Sequence, residues 1–117
     1  MVYQTTPRGD IIITNDVITT LAGAAASSCF GVKGMAKRSM SDGLVHLLKR
    51  EAMGKGVLVT WDADRAISIA LHIVVDYGVN ITALAASIID EVRYKVESTT
   101  GAAVKSVDVF VDSMLVD

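Results

Sequence analysis

Few residues of this chain have side chains that could carry catalytic or metal-binding chemistry. There are two histidines, His46 and His72, and a single cysteine, Cys29. A metal site or a catalytic centre needs several convergent groups, and neither histidine has a second histidine or a cysteine at ligand spacing. We therefore expect ordinary surface or interface histidines, a small buried cysteine at a helix end, and no cofactor.

Carboxylates and serines complete the search for catalytic groups. Asp62 and Asp64 bracket a predicted hairpin turn, where aspartate is favoured because its side chain bonds nearby backbone amides. Ser27 and Ser28 have neither a neighbouring base nor the glycines of a nucleophile elbow. The residues therefore predict a protein that is not an enzyme.

The motif Gly31-Val32-Lys33-Gly34 allows an alternative function, RNA binding. In KH domains a Gly-x-x-Gly loop between two helices clamps the backbone of a single strand. The next predicted helix of this chain begins only at Ser41, whereas a KH loop joins its two helices directly. The other interpretation is a loop that needs backbone freedom at its glycines.

The charges are unevenly distributed along the chain. Residues 33–55 include six basic and two acidic side chains, so this segment carries +4 while the rest of the chain carries −6. Such a separation predicts an electropositive face that docks an acidic protein surface or, secondarily, an anionic membrane surface. The alternative is a solvated face with no binding role. Phe110, on an otherwise acidic strand face, adds an apolar contact. The candidate interaction surface consists of Lys33, Lys37, Arg38, Lys49, Arg50 and Phe110.

The composition is that of one globular domain over residues 1–117, with 51% hydrophobic and 21% charged residues. Because only 5% are aromatic, the core must be built from Val, Ile, Leu and Ala. The longest nearly apolar run, Ala66 to Val75, has ten residues, about half of what a membrane helix needs. With one cysteine and no visible secretory signal, the chain is expected in the cytoplasm.

Four elements are predicted in the first half of the chain. The run Ile11–Ile13 indicates a strand, and a slim helix should extend from near Asp16 to near Cys29, capped by Thr14 or Asn15. Residues 30–40 are predicted to be a loop with some strand character. A second helix is predicted from Ser41, with its apolar face formed by Leu44, Leu47 and Leu48.

The second half shows clearer periodicity. Strands are predicted at 57–61 and 67–75, a long helix between the cap Asn80 and Gly101, and a last strand at 107–111. The helix stripe and the alternating strand should pack together as the main core. The apolar stripe consists of Ile81, Leu84, Ala85, Ile88, Ile89, Val92 and Val96. The predicted fold class is α+β, a small antiparallel or mixed sheet with helices on one face, in the order β-α-α-β-β-α-β.

This order and several segments resemble the alkaline shock, or envelope stress response, protein family of Gram-positive bacteria. The resemblance covers nearly the whole chain, and its most specific piece is the acidic-Tyr-Gly-Val tetrad after the alternating strand. The matching segments are Gly9-Asp10-Ile11-Ile12-Ile13, the small-residue helix from Val17, Gly31-Val32-Lys33-Gly34-Met35, Gly56-Val57-Leu58-Val59, Val75-Asp76-Tyr77-Gly78-Val79-Asn80-Ile81 and the valine-rich strand at 107–111.

The resemblance implies a role in envelope homeostasis and no established catalytic residues. It implies a short, housekeeping-type member whose protein partner is a membrane-anchoring or a fatty-acid-kinase-type protein. Some members of this family self-associate, so a homo-oligomer is compatible with the resemblance. Any contact with the membrane would be peripheral, through a partner or the protein surface, and nucleic acid is not an expected ligand.

Overall fold

The structure is a computed structural model, and it describes residues 1–38, 45–47 and 56–116. These residues form seven strands and two helices in an α+β arrangement, the predicted fold class. The elements, in chain order, are β1 (Val2–Thr6), β2 (Gly9–Ile13), α1 (Asn15–Ser27), β3 (Val32–Arg38), β4 (Val45–Leu47), β5 (Val57–Trp61), β6 (Ile67–Asp76), α2 (Ile81–Thr100) and β7 (Val104–Leu115).

The main sheet is mixed and is organised around β6. Strand β5 pairs antiparallel with the first half of β6, β3 pairs antiparallel with its end, and β4 continues the sheet beyond β3. Strand β7 pairs parallel along β6, from Ile67 opposite Val104 to Asp76 opposite Leu115. The helix α2 between β6 and β7 is the crossover that a parallel pair requires. A mixed sheet, one of the two predicted arrangements, is therefore confirmed.

The core forms between one face of the sheet and the two described helices. On β6 every second residue from Ile67 to Val75 is no more than 1% exposed. The α2 stripe enters the same buried cluster through Leu84, Ile88, Val92 and Val96. Since the period is two on the strand and near 3.6 on the helix, each element buries one face. The predicted pairing of this strand and this helix in the main core is confirmed.

Both predicted helix boundaries of α2 are observed. The Asn80 side chain accepts a hydrogen bond of 3.0 Å from the Ala83 amide, which satisfies one of the unpaired amides of the first turn. Gly101 ends the helix with φ of 75°, a left-handed conformation that glycine adopts without a Cβ penalty.

The helix α1 buries a narrower face than its apolar residues suggested. Thr14 is the N-cap, one of the two predicted, and Ser28 is the C-cap, one residue before the predicted end. Ile18 and Ala25 are buried, but Val17 is 44% exposed and Ala24 is also exposed. The buried positions instead include small side chains at Ala22, Gly23 and Ala26, because α1 lies close against its neighbours through a small-residue face.

The region between α1 and β5 differs from the prediction. Residues expected to be mainly loop form strand β3, because pairing with β6 gives the glycine-containing segment a strand conformation that its local propensity does not favour. The predicted second helix lies mostly outside the described residues. Three of its residues, Val45–Leu47, form strand β4, so at these positions the helix prediction is wrong. They pair with residues 36–38 of β3.

The N-terminal strands form a hairpin that is separate from the main sheet. The predicted strand at Ile11–Ile13 is confirmed within β2, but it pairs only with β1, among the described residues, and not with the main sheet. The β1 strand was not predicted. The hairpin is therefore a two-stranded arm that precedes α1.

Candidate interaction surface on the open face of the sheet

One face of the main sheet packs on α1 and α2, and the opposite face, called here the open face, carries mixed polar and apolar side chains. On β6 the open face begins with Ser68, Ala70 and His72, which are all half-buried. Leu58 on β5 lies opposite Ala70, and Phe110 on β7 lies opposite His72. Two of these side chains are large, apolar and well exposed, since Leu58 is 60% and Phe110 is 47% exposed.

The centre of the open face is a cluster of His72, Phe110 and Asp112, called here the His72 cluster. The rings of His72 and Phe110 are stacked, with centroids 4.7 Å apart and an angle of 11° between their planes. His72 Nδ1 lies 2.9 Å from Asp112 Oδ2. An ionised carboxylate only accepts, so the imidazole donates from Nδ1. The carboxylate fixes the imidazole, and the imidazole fixes the phenyl ring above it.

The local fold explains why these three residues meet. His72 and Phe110 are aligned because β6 and β7 are parallel and in register at this point. The register shifts between Ile73 and Val74, so β7 has an extra residue, Asp112, between the partners of these two positions. A bulge of this kind re-aims a side chain, and here it leaves Asp112 within reach of His72.

A histidine–carboxylate pair can support acid–base chemistry, but it needs a reacting group at the second ring nitrogen. In the described part of the chain, no serine, threonine or cysteine side chain forms a hydrogen bond with His72. No group of three or more metal-ligating side chains occurs within residues 1–38, 45–47 and 56–116. What the cluster provides directly is a positioned aromatic ring on a partly polar surface.

Only part of the predicted basic surface falls on described side chains. Lys33 lies in β3 and forms an ion pair of 3.2 Å with Asp76 at the end of β6. Lys37 and Arg38 belong to β3 by their backbone. Lys49 and Arg50 lie outside the described residues, and the prediction of an electropositive face stays a prediction. Because β3 and β7 flank opposite sides of β6, Lys33 and Phe110 belong to different parts of the sheet.

The Gly-x-x-Gly motif does not form the loop that an RNA clamp requires. Gly31 lies in the turn after α1 with φ of 100°, and Gly34 lies inside strand β3. Both glycines are buried. A Cβ at Gly31 would lie 2.9 Å from a methyl carbon of Val79, so this glycine allows close packing inside the protein. The alternative of a KH-like loop between two helices is therefore wrong for these residues.

The remaining candidate chemical groups have structural roles. Asp62 accepts hydrogen bonds of 2.9 Å from the amides of Asp64 and Ala66, which confirms the predicted turn. These amides, first that of Ala66, and the nearby charge of Lys105 hold the pKa of Asp62 below its ordinary value. Cys29 is half-buried rather than fully buried, and it packs against the core. Burial, aided by the charge of Glu91, raises the pKa of its thiol, which disfavours the reactive thiolate.

The sequence singled out Phe110 but not its partners. Asp112 is 40 residues from His72 along the chain, and their contact depends on the β6–β7 register. The alternation of polar and apolar residues along both strands could have predicted part of the cluster, because it puts the His72 and Phe110 side chains on the same side of the sheet. The bulge that adds Asp112 has no local sequence signature.

The chain is similar in sequence to one protein family and to several bacterial proteins. A family profile for the alkaline shock protein 23 family, described by a cell envelope-related function, matches residues 3–116. The protein YloU of Bacillus subtilis is 39% identical, with 95% of this chain and 92% of YloU aligned. Protein Spy1614 of Streptococcus pyogenes is 37% identical over the same shares, 95% and 92%.

A third relative, YqhY of Bacillus subtilis, is 32% identical over 95% of this chain and 81% of its own length. All three relatives carry names that describe them as uncharacterized. The comparison with solved structures finds no match. The helices in the described part of the chain are too short or too polar to cross a membrane. By its match over nearly the whole chain, this protein belongs to the alkaline shock protein 23 family, whose function is related to the cell envelope.

Proposed function

We propose that this protein is a non-enzymatic interaction module that binds a protein partner through the open face of its sheet. The partner is a membrane-anchoring protein at the cytoplasmic face of the envelope or a fatty-acid-kinase-type protein. The observation that carries the proposal is the Phe110 ring, half-exposed and stacked on His72.

An aromatic ring held in a fixed orientation at the surface is more consistent with a protein-binding surface than with a surface that binds nothing. Aromatic side chains dominate the binding energy of interfaces, and the energy is larger when little rotamer freedom is lost on binding. Stacking on His72, which Asp112 holds at 2.9 Å, restrains the Phe110 ring before any partner arrives. The exposed Leu58 adds apolar area on the same face.

The charge distribution along this chain supports a partner with an acidic surface. The segment 33–55 carries +4 in a chain whose total charge is −2. Electrostatic attraction between such a segment and an acidic partner raises the association rate. This effect weakens as the salt concentration rises, because the electrostatic screening length falls to about 8 Å at physiological ionic strength. The family's cell envelope-related function supports a partner located there.

The proposal is tested by replacing the ring and measuring binding. Phe110→Ala should weaken binding to the purified membrane-anchoring or kinase-type partner by about tenfold or more, as loss of a central aromatic anchor does. Tyr94→Ala is the matched control, because Tyr94 is an aromatic residue on α2 that is 64% exposed. Calorimetric titration measures both. Equal affinities for the two variants and the parent protein would reject the open face as the binding surface.

A further inference from the structure

Strand β7 is an outer strand of the main sheet. It extends from Val104 to Leu115 and, among the described residues, pairs with β6 alone. A strand that is paired on one side presents unpaired amide and carbonyl groups on the other, and these can pair with a strand of another protein. The register between β7 and β6 determines which residues carry these groups.

The outward groups of β7 follow from its hydrogen bonds to β6. The Ile67 amide donates to the Ala103 carbonyl at 2.9 Å, so the backbone groups of Ile67 point toward β7. Those of Ile69, two residues further along β6, point the same way and bond to the residues before and after its partner Val107. Because this pattern alternates along the strand, the groups that point away from β6 belong to Val107, Val109 and Val111.

The helix α2 covers the beginning of this edge. Glu97 Oε2 accepts a hydrogen bond of 3.0 Å from the Val104 amide. Arg93 Nη2 donates one of 3.4 Å to the Lys105 carbonyl. Val107, the next residue with outward groups, is only 5% exposed. The first part of the edge is therefore not open to another strand.

The edge is open further along, at Val109 and Val111. Both residues are half-buried. In the part of the chain that the structure describes, no side chain bonds to their backbone groups, in contrast to those of Val104 and Lys105. Their amides and carbonyls are thus available to an added strand.

The side chains that flank these groups on the open face are acidic and aromatic. Asp108 is exposed, Phe110 is 47% exposed, and Asp112 is half-buried beside His72. The Asp108 carboxylate forms no hydrogen bond or ion pair with any described residue. Opposite charges on adjacent strands attract, and aromatic side chains pair favourably. A strand that fits here carries a basic residue beside Asp108 and an aromatic residue beside Phe110.

The other face of the same edge is apolar. Val109 and Val111 pack against the core cluster and remain partly exposed. Apolar β-branched residues fit a half-buried strand position of this kind. The edge therefore selects a strand that alternates basic or aromatic residues on one face with β-branched residues on the other.

We propose that the partner of the open face adds an extended segment of this alternating kind along β7, so that the main sheet gains one strand. This docking mode rests on the proposed function, because it states how that partner binds. In strand addition the backbone hydrogen bonds supply affinity and alternate side chains supply specificity. The acidic surface of the partner lies elsewhere, since segment 33–55 begins on β3, which pairs with the other side of β6.

A synthetic peptide tests the edge directly. The probe is Val-Lys-Val-Tyr-Val-Lys-Val with blocked ends, a symmetric sequence that fits β7 in either strand direction. Val109→Pro should weaken its binding by about tenfold or more in calorimetric titration, because proline removes an outward amide and none of the bonds to β6. Circular dichroism confirms that the variant is folded. Unchanged affinity of the folded variant, or no binding to the parent protein, would overturn the proposal.

The matched control is Val59→Pro at the other edge of the sheet. Val59 is a half-buried valine on β5. The residues of β6 that bond to β5 alternate with those that bond to β7, so their partners Leu58 and Thr60 bond to β6 and the Val59 amide points outward. Val59→Pro should therefore bind the peptide as the parent protein does. Equal weakening by both prolines would show that the peptide does not bind at β7.

The charge preference is tested with a second peptide, in which glutamate replaces both lysines. It should bind the parent protein about tenfold or more weakly than the lysine peptide, and Asp108→Lys should reduce this difference. Equal affinity of the two peptides for the parent protein would contradict the proposal, because a basic strand is part of it.

Hydrogen exchange measured by NMR tests the edge without any substitution. In the free protein, the Val109 and Val111 amides should exchange faster than those of Asp108 and Phe110, which bond to β6, and the lysine peptide should slow them. Exchange unchanged by the peptide would reject strand addition. Slow exchange in the protein alone would also reject it, because the edge would then already be occupied by a second copy or another part of the chain.

Partner binding separates this docking mode from the proposed function. Binding of the purified partner that is weakened by Phe110→Ala but not by Val109→Pro would reject strand addition and leave the proposed function standing. Peptide binding at the edge, together with partner binding that Phe110→Ala does not change, would instead reject the open face as the surface for that partner.

Discussion

At the scale of single residues, the chain uses its polar side chains to fix geometry. Asp62 bonds two amides of the turn between β5 and β6, and Asp112 holds the ring on which Phe110 stacks. Asn15, one of the two predicted caps, instead accepts a hydrogen bond of 3.0 Å from the indole of Trp61. Such contacts fix the position of surface side chains, and a binding surface needs side chains in fixed positions.

The turn carboxylate leads to a prediction about pH. The folded state depresses the pKa of Asp62 below its ordinary value of 3.8. A depressed carboxyl pKa contributes stability above the ordinary value, and this contribution is lost as the pH falls through the folded value. Asp62→Asn should therefore lower the melting temperature slightly at pH 7, and the difference from the parent protein should close below about pH 3.8.

The control for this prediction is Asp64→Asn in the same turn. The Asp64 side chain takes part in no hydrogen bond or ion pair within the described residues, whereas its backbone amide bonds to Asp62. Melting curves between pH 3 and pH 7 would decide. A difference for Asp62→Asn that stays constant over this range would show that its charge does not stabilise the turn.

At the scale of elements, the fold is organised by β6 and α2. Strand β6 is paired on both sides, by β3 and β5 on one side and by β7 on the other. The helix α2 packs against α1 and β7, and it supplies four fully or nearly fully buried apolar residues to the same core cluster as β6. Loss of this contact should unfold the domain, because the described core forms one continuous cluster.

A charge placed inside the α2 stripe tests this organisation. Leu84 is 8% exposed, and Leu84→Asp should lower the free energy of unfolding by about 3–5 kcal/mol, because it buries an unpaired carboxylate. Ala86→Asp introduces the same charge at an exposed position of the same helix, and it should change the free energy of unfolding by less than about 0.5 kcal/mol. Urea titration compares them. Equal stability of the two variants would mean that the stripe does not face the core.

The sequence predicted those elements whose pattern is local and missed those whose position depends on pairing. The alternation from Ile67 to Val75 and the stripe of α2 were sufficient to place the core. Strand β3 was predicted only as a loop with some strand character, because Gly31 before it and Gly34 within it weaken the local strand signal, and its conformation comes from pairing with β6. The Ile11–Ile13 run predicted a strand, but no local sequence pattern determines which sheet a strand joins. For the same reason, the predicted strand at Ile11–Ile13 was assigned to the single sheet of the domain.

At the scale of the whole molecule, two surfaces stand on different elements of one domain. The open face, with Leu58 and Phe110, lies on the main sheet, whereas the arm extends from the start of α1.

The central claim is that the open face binds an envelope-associated or kinase-type protein, and cross-linking in living cells tests it most directly. A photo-reactive phenylalanine analogue at position 110 replaces an aromatic ring that is 47% exposed, so it should be tolerated. After irradiation, mass spectrometry should identify one such protein covalently attached at residue 110. The same analogue in place of Tyr94 should not capture that protein. Capture of the same proteins from both positions, or of none from position 110, would contradict the account.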